Sequence, residues 1–284
     1  MARRLAASEG GRGSQLAILA AAPLLLMLLL FEILPLIVVG LDGLHTDSGW
    51  SLGNYAAILA SPFQRNAFLL SVELSLATAV LGVVIALPVA VVLRRVPKGV
   101  SRALLVYATI GANFTGFPIA FAFIIMFGLA GFFTLLLVHA GWIHGLNIYS
   151  LSGLVAVYVY FQFQLGLLLL MPALEAITPD LRDAARVMGA SDRVFWLRIG
   201  LPILAPALIS AFVFLFANAM GTYATAYALV GGNANIVTIR IGELLAGDVF
   251  SDPHLADALA SLLVIGLAIP IVLEQILLHR RRDG

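Results

Sequence analysis

The sequence predicts an all-α integral membrane protein of six transmembrane helices, with both termini on the cytoplasmic side. Composition, run length and the sorting of charge carry that prediction. Of 284 residues, 62% are hydrophobic and only 11% charged, and the mean hydropathy is +1.05. A soluble domain carries about a quarter charged residues. Crossing a bilayer as a helix takes about 20 predominantly apolar residues. Six stretches qualify: Leu16–Leu41, Ala67–Leu93, Ala103–Val138, Leu151–Ile177, Leu201–Val230 and Leu255–Leu278. Of the 16 Lys and Arg, 14 fall on one side of this topology: Arg3, Arg4 and Arg12; Arg94, Arg95, Lys98 and Arg102; Arg182, Arg186, Arg193 and Arg198; and Arg280, Arg281 and Arg282. Only Arg65 and Arg240 fall opposite, with Asp42, Asp47, Glu243, Asp248 and Asp252. Positive charge marks the cytoplasmic loops of a multi-pass chain, so the 178–200 loop is read as cytoplasmic.

Residues 1–14, rich in Gly, Ser and Arg, read as a flexible cytoplasmic tail, 15–279 as one transmembrane domain, and 280–284 as a basic cytoplasmic tail. The basic start followed by an apolar run has the outline of an export signal, but the run exceeds a 7–15-residue signal core and reads as a retained first span. Glu32 lies deep in that run and Glu73 in the second. A charge at a helix centre costs about 2.5–3.5 kcal/mol. Each is therefore either a residue of a solute pathway or interface, or one that sits near the headgroups, paired or protonated. The third run is longer than one span needs, and Gly128 and Gly131 predict a break in it, the remainder lying at the interface or re-entering. Asn113 in that run, with Gln162 and Gln164 in the fourth, are further polar candidates for a pathway. In the fifth run Asn218, Thr222 and Thr225 are spaced by four and three, which stacks them on one helical face. Such a stripe suits a translocation pathway, and it also suits the hydrogen bonding between membrane helices that small polar residues commonly provide. Pro35, Pro88, Pro118 and Pro172 decide nothing, because membrane helices tolerate proline.

Several chemistries are excluded or unsupported. Without cysteine there is no disulfide or thiolate chemistry. No G-x-x-x-x-G-K-[ST] loop is present to hold ATP, and neither G-x-S-x-G nor H-E-x-x-H occurs. His139 and His144 are five residues apart with no third ligand nearby, so no metal site is expected. The basic loops lack the interleaved aromatics of a nucleic-acid groove; no nucleic-acid partner is expected, and the lipid membrane is the expected environment.

Residues 178–202 hold the densest information. Thr178 is a candidate N-cap, Pro179 suits the first helical position and Asp180 complements the helix dipole. Leu181, Ala184, Ala185 and Met188 follow at i, i+3, i+4 and i+7, which predicts one apolar face with Arg182, Asp183 and Arg186 opposite. Gly189 stands where a helix ends in a left-handed residue. Ser191 can cap a second short helix through Val194, Phe195, Trp196 and Leu197. Two short helices hinged at a glycine fit a helix that docks in a partner's groove. They fit equally an amphipathic connector held by headgroups.

The pattern Asp183-Ala184-Ala185, three residues, Gly189, nine residues, Ile199, one residue, Leu201-Pro202 resembles the "EAA" loop of binding-protein-dependent ABC importer permeases, with Asp183 where that family usually has glutamate. The resemblance extends from about residue 66 onward. It implies the six-helix type I importer fold, pairing with a second permease subunit (a homologue or a second copy), a cytoplasmic ABC ATPase dimer that uses the ATP, and an extracytoplasmic solute-binding protein. The chain itself then binds no cofactor, performs no enzymatic step and resides in a bacterial plasma membrane. Residue by residue, Asp183, Ala184, Ala185 and Gly189 would form or shape the ATPase contact, and Ile199, Leu201 and Pro202 would pass its motion into the fifth span. Asn218, Thr222, Thr225, Asn113 and Glu32 are the pathway candidates. The stretch Tyr223-Ala-Thr-Ala-Tyr-Ala-Leu-Val-Gly-Gly232 resembles the branch handling polyamines such as spermidine and putrescine, with sulfate, iron, thiamine and aminophosphonate permeases nearby. Two other classes compete. An ion-gradient-driven secondary transporter would more often show paired intramembrane charges or an inverted repeat, and a receptor-like or scaffolding membrane protein would not need the polar stripe.

Overall fold

The computed structural model describes residues 21–46, 49–246 and 251–282. The expected 1–14 tail, Asp47 and Asp248 fall outside them. Among the described residues, six helices are long and apolar enough to cross a membrane, which agrees with the sequence count. The first, α1 (Ala21–Asp42), is followed by a two-residue antiparallel pair, β1 (His45–Thr46) and β2 (Gly49–Trp50), with His45 opposite Trp50. Then come α2 (Gly53–Ala60), α3 (Pro62–Leu93), α4 (Lys98–Asn113), α5 (Phe117–Phe127), α6 (Phe132–His139) and α7 (Leu151–Ala173). The short α8 (Pro179–Val187) leads to α9 (Asp192–Met220), α10 (Ala224–Val230), α11 (Val237–Ala246) and α12 (Pro253–Arg282). The expected tail at 280–284 is thus helical through Arg282.

The centre of the bundle is α3, α7 and α9, and small side chains explain how closely they approach. Thr78, Gly82, Ala86 and Ala90 recur every fourth residue of α3, all buried, and form one row along the helix. A Cβ on Gly82 would press on Gln162 and Leu215, and one on Gly166 of α7 would press on Ala86. In a bilayer the tails are as apolar as leucine, so tight van der Waals contact at small residues, rather than hydrophobic burial, drives helix association. Peripheral α1 shows the converse: none of its apolar window is buried, and it touches the bundle chiefly through α12.

Three expectations need correction. The third run breaks at Gly128, as anticipated, but also at Phe114–Gly116, so that α4, α5 and α6 replace one long span. The fifth run is not one helix: α9 ends at Met220, and Gly221, Thr222 and Tyr223 separate it from α10. The second short helix is not a separate element either. It runs from Asp192 into α9 through a π turn at Trp196–Gly200, in which the Leu201 N–H bonds to the Trp196 carbonyl, five residues back. The π turn has a cause: Pro202 has no N–H, and its ring opposes the carbonyl four residues earlier, so a widened turn just before it relieves the clash. The same device precedes Pro35, where Leu34 N–H bonds to Leu29 across the π turn Leu29–Ile33.

Candidate functional site

The basic end of the bundle is built around the 178–202 segment. A 3-10 turn at Leu174–Ala176 ends α7, and its free carbonyls are satisfied from another helix: Arg94 Nη1, just past α3, donates to Leu174 O at 2.6 Å and Ile177 O at 2.9 Å. Thr178 caps α8 by accepting from the Leu181 N–H at 3.3 Å, with Pro179 at the helix start. Ser191 caps α9 by accepting from the Val194 N–H at 3.4 Å. Between them Gly189 has φ +82°. Its N–H donates to Arg186 O at 2.9 Å, and the Ala190 N–H reaches Ala185 O at 3.0 Å. This is a Schellman closure, whose left-handed position suits glycine. Asp192 then ties the two helices together, 3.1 Å from Arg182 and 3.5 Å from Arg186, while Arg186 also lies 3.7 Å from Asp183. Exposed pairs of this kind contribute about 0–1 kcal/mol each, so they tie α8 to the start of α9 while adding little to the stability of the fold.

The predicted single apolar face of α8 is split in two. Leu181 and Ala185 turn inward, Ala185 being 1% exposed, while Ala184 is exposed, as are Val187 at 89% and Met188 at 78%. A nine-residue helix lying across the end of a bundle can bury one row only. That row joins Ala185 and Phe195 to Ala86, Ala90 and Leu93 of α3, Ala108 of α4, Leu167 and Leu170 of α7, and Leu204 of α9 in one buried cluster. Asp183 and Gly189 lie on the outer surface with the other apolar row. Ile199 packs against the same cluster, Leu201 is half-buried and Pro202 is exposed.

The interior polar residues form a second grouping near the breaks. Gln162, fully buried, donates to Leu215 O at 2.6 Å and accepts from Asn218 Nδ2 at 3.4 Å. The Asn218–Thr222–Thr225 stripe does not run along one helix. Asn218 lies on α9, Thr222 in the break, where its hydroxyl donates to Asn218 O at 2.6 Å, and Thr225 on α10, where it donates to Gly116 O at 3.2 Å. The Thr222 carbonyl accepts from Tyr158 at 3.1 Å and Thr238 at 3.2 Å. Asn113 is exposed and donates to Thr109 O, four residues back. Glu32, inside the first π turn, and Glu73 on α3 are both exposed rather than aimed into the bundle. Gln164 is buried beside Gly111 with neither amide atom hydrogen-bonded.

One residue escaped the sequence reading. Glu274 of α12 is half-buried and accepts a hydrogen bond from Ser210 of α9, at a groove of ≈ 590 Å³ shared by α7, α9 and α12. Its signal was present, since it falls inside the Leu255–Leu278 run as Glu32 falls inside the first.

No family model matches the chain. Among curated proteins, the molybdenum transport system permease protein ModB of Mycobacterium tuberculosis is 26% identical over 217 residues, covering 76% of this chain and 80% of ModB. The trehalose/maltose transport system permease protein MalF of Thermococcus litoralis is 29% identical over 249 residues, covering 82% and 83%. Among solved structures, a bacterial ABC transporter involved in the import of the acidic polysaccharide alginate superposes with TM-score 0.72 at 17% identity, over 97% of this chain and 98% of that one. Likeness of this extent fixes the architecture: the chain is a multi-pass membrane protein with the fold of that importer's membrane-spanning chain.

Proposed function

We propose that the chain is a permease subunit of an ATP-driven importer of the binding-protein-dependent type. It would lie in a bacterial plasma membrane with its basic end in the cytoplasm. One observation carries the reading. The 178–202 segment exposes an unpartnered apolar row (Ala184, Val187, Met188) beside Asp183, while its other row is locked by Ala185 and Phe195 into the helix ends of the bundle. A force applied to the outer row therefore reaches α3, α4, α7 and α9 without slack. The two rows are the two sides of a lever.

Its proposed partners are a cytoplasmic ATPase dimer seated on the outer row, a second permease copy or homologue, and an extracytoplasmic solute-binding protein. A solved alginate importer in complex with an alginate-bound periplasmic protein, at TM-score 0.73 over 94% of each chain, supports the last of these. Closure of the ATPases would displace α8. Arg94, bonded to the end of α7, and Phe195, continuous with α9, would carry that displacement into the bundle. The interruption at Gly221–Tyr223 would let α10 move against α9, beside the Gln162–Asn218 pair. Purification in mild detergent with the cognate ATPase tests this. A stable complex whose ATP hydrolysis is stimulated by the binding protein is expected. Uptake that proceeds without nucleotide would overturn it in favour of an ion-gradient transporter.

For cargo, a polyamine-type solute follows from the resemblance of the 223–232 stretch, but no named relative handles a polyamine. A second reading, an oxyanion, is favoured by the alignment with ModB over 76% of the chain, and the interior polar groups beside the helix break (Gln162, Asn218, Thr222) are neutral rather than acidic. Glu32 and Glu73, the two acids that a cationic cargo would call for, are exposed rather than aimed into the bundle interior. Titrating the cognate binding protein with spermidine and with sulfate or molybdate separates the two readings.

A further inference from the structure

The basic end carries a cleft in which Arg95 and Trp196 have no part in the coupling role. It has a volume of ≈ 300 Å³ and is lined by Arg94, Arg95, Arg182 and Arg186, with Asp183 the lone acid in its wall. Asp192 pairs with Arg182 and Arg186 from outside it. Four guanidinium groups against two carboxylates leave two positive charges uncompensated. The Arg95 guanidinium has neither an ion pair nor a hydrogen bond among the described residues, whereas that of Arg94 is committed to two carbonyls. Through Val91, Arg95 and Trp196 the cleft is continuous with a second groove of ≈ 360 Å³, lined by Leu87, Pro88, Val92 and Leu201 and almost wholly apolar.

The two halves are ordered along α3, which is long enough to cross a membrane. Arg95 lies two residues past the end of α3 and Leu87 six residues inside it, about 9 Å at 1.5 Å per residue. The apolar groove therefore runs from the charged cleft about 9 Å back along the helix. Trp196 stands at the junction, the depth at which indole rings gather. A cationic pocket opening into an apolar slot has the polarity profile of a phospholipid, headgroup phosphate below and acyl chain above.

We propose that this composite groove binds one anionic phospholipid, its phosphate held by Arg95 and Arg182 and one acyl chain laid along Leu87, Val92 and Leu201. Basic pockets beside membrane helices on the cytoplasmic side hold anionic headgroups in this way. Arg182 is also a residue of α8, and Trp196 lies in the π turn that feeds α9. A lipid seated here touches both ends of the lever, so coupling becomes sensitive to the anionic lipid content of the membrane. Binding itself does not depend on the ATPase assignment.

Native mass spectrometry of the purified full chain, exchanged into detergent with phosphatidylglycerol or phosphatidylcholine of matched chains, tests the proposal. Preferential retention of phosphatidylglycerol is expected. Arg95→Gln should weaken it about fivefold, the effect of one arginine near a headgroup. Val92→Trp, which fills the slot from an exposed position, should also abolish the preference, while Val84→Trp, outside the groove on the same helix, should preserve it. Equal retention of the two lipids, or an unchanged preference in Arg95→Gln, overturns the site. If excess inorganic phosphate strips phosphatidylglycerol as completely as Arg95→Gln does, the cleft is a free-anion site and the lipid assignment falls.

Discussion

Gly189 offers a perturbation whose effect can be worked out in advance. Its φ is +82°, and a Cβ built there meets nothing within 4 Å. A substitution therefore adds no clash and acts through backbone strain alone. For an ordinary L-residue the left-handed region costs about 1–2 kcal/mol, more for a β-branched one, and asparagine tolerates it best. At 1.4 kcal/mol per factor of ten, valine should depopulate the closed turn by about tenfold or more, alanine by somewhat less, and asparagine hardly at all. The turn holds the Ala190 N–H on Ala185 O, so opening it releases the end of α8 that bears Val187 and Met188. The assay is the ratio of solute transported to ATP hydrolysed in proteoliposomes with the ATPase and binding protein. Gly189→Val should express and insert normally with the ratio reduced about tenfold, Gly189→Ala should fall between, and Gly189→Asn should stay near the parent. The ordering is what matters, because valine and asparagine differ little in bulk. If asparagine is as damaging as valine, bulk at the docking surface is responsible and the backbone argument fails; if valine couples normally, the turn is not part of the lever.

Other perturbations follow from the same geometry. Arg94→Gln removes charge-assisted bonds to Leu174 O and Ile177 O and should cost about 1.5–3 kcal/mol, seen as faster limited proteolysis near residue 177 and a lowered midpoint of thermal unfolding. Gln162→Leu leaves the Asn218 amide without its side-chain partner and should lower stability by about 0.6–2 kcal/mol, the range for hydrogen bonds between membrane helices. Gly111→Ala should destabilise by about 1–3 kcal/mol, because the new methyl would overlap the Gln164 amide. The double variant with Gln164→Ala should recover most of the loss, and a double variant no better than the single one would refute that contact as the cause. Asp192→Asn, at an exposed junction, should change unfolding by less than about 1 kcal/mol yet reduce coupling, since the pair ties α8 to the start of α9.

What was legible in the sequence was what depends on a few neighbouring residues. The Thr178 and Ser191 caps and the left-handed Gly189 are decided within four residues of each, and all three stand where spacing put them. The division of α8 into two rows was not legible, because Leu181, Ala184, Ala185 and Met188 satisfy a single-face template equally well. Which row is buried is decided by Leu93, Ala108 and Leu170, and these lie well outside the segment. Pro202 illustrates an intermediate case. Its place in the motif was plain, but its physical effect, widening the preceding turn, emerges only from the hydrogen bond between Leu201 and Trp196.

The breaks before α5 and before α10 were illegible for a deeper reason. In hydrocarbon an interrupted helix leaves carbonyls that no water can satisfy, so a break is tolerated only where other protein groups reach it. Those groups are remote here. The Thr222 carbonyl is met by Tyr158 from α7 and Thr238 from α11, and the Gly116 carbonyl by Thr225, 109 residues away. The last bond joins one interruption to the other, so the breaks before α5 and before α10 stabilise one another. Removing the Thr225 hydroxyl should expose the Gly116 carbonyl it covers. Thr225, read from sequence as one member of a stripe, is therefore better understood as the clasp between two unwound segments. A polar spacing of four and three in an apolar run can mark an uninterrupted pathway face, or residues that make an interruption affordable to the bundle. Local sequence cannot distinguish them, because the deciding partner lies on another helix.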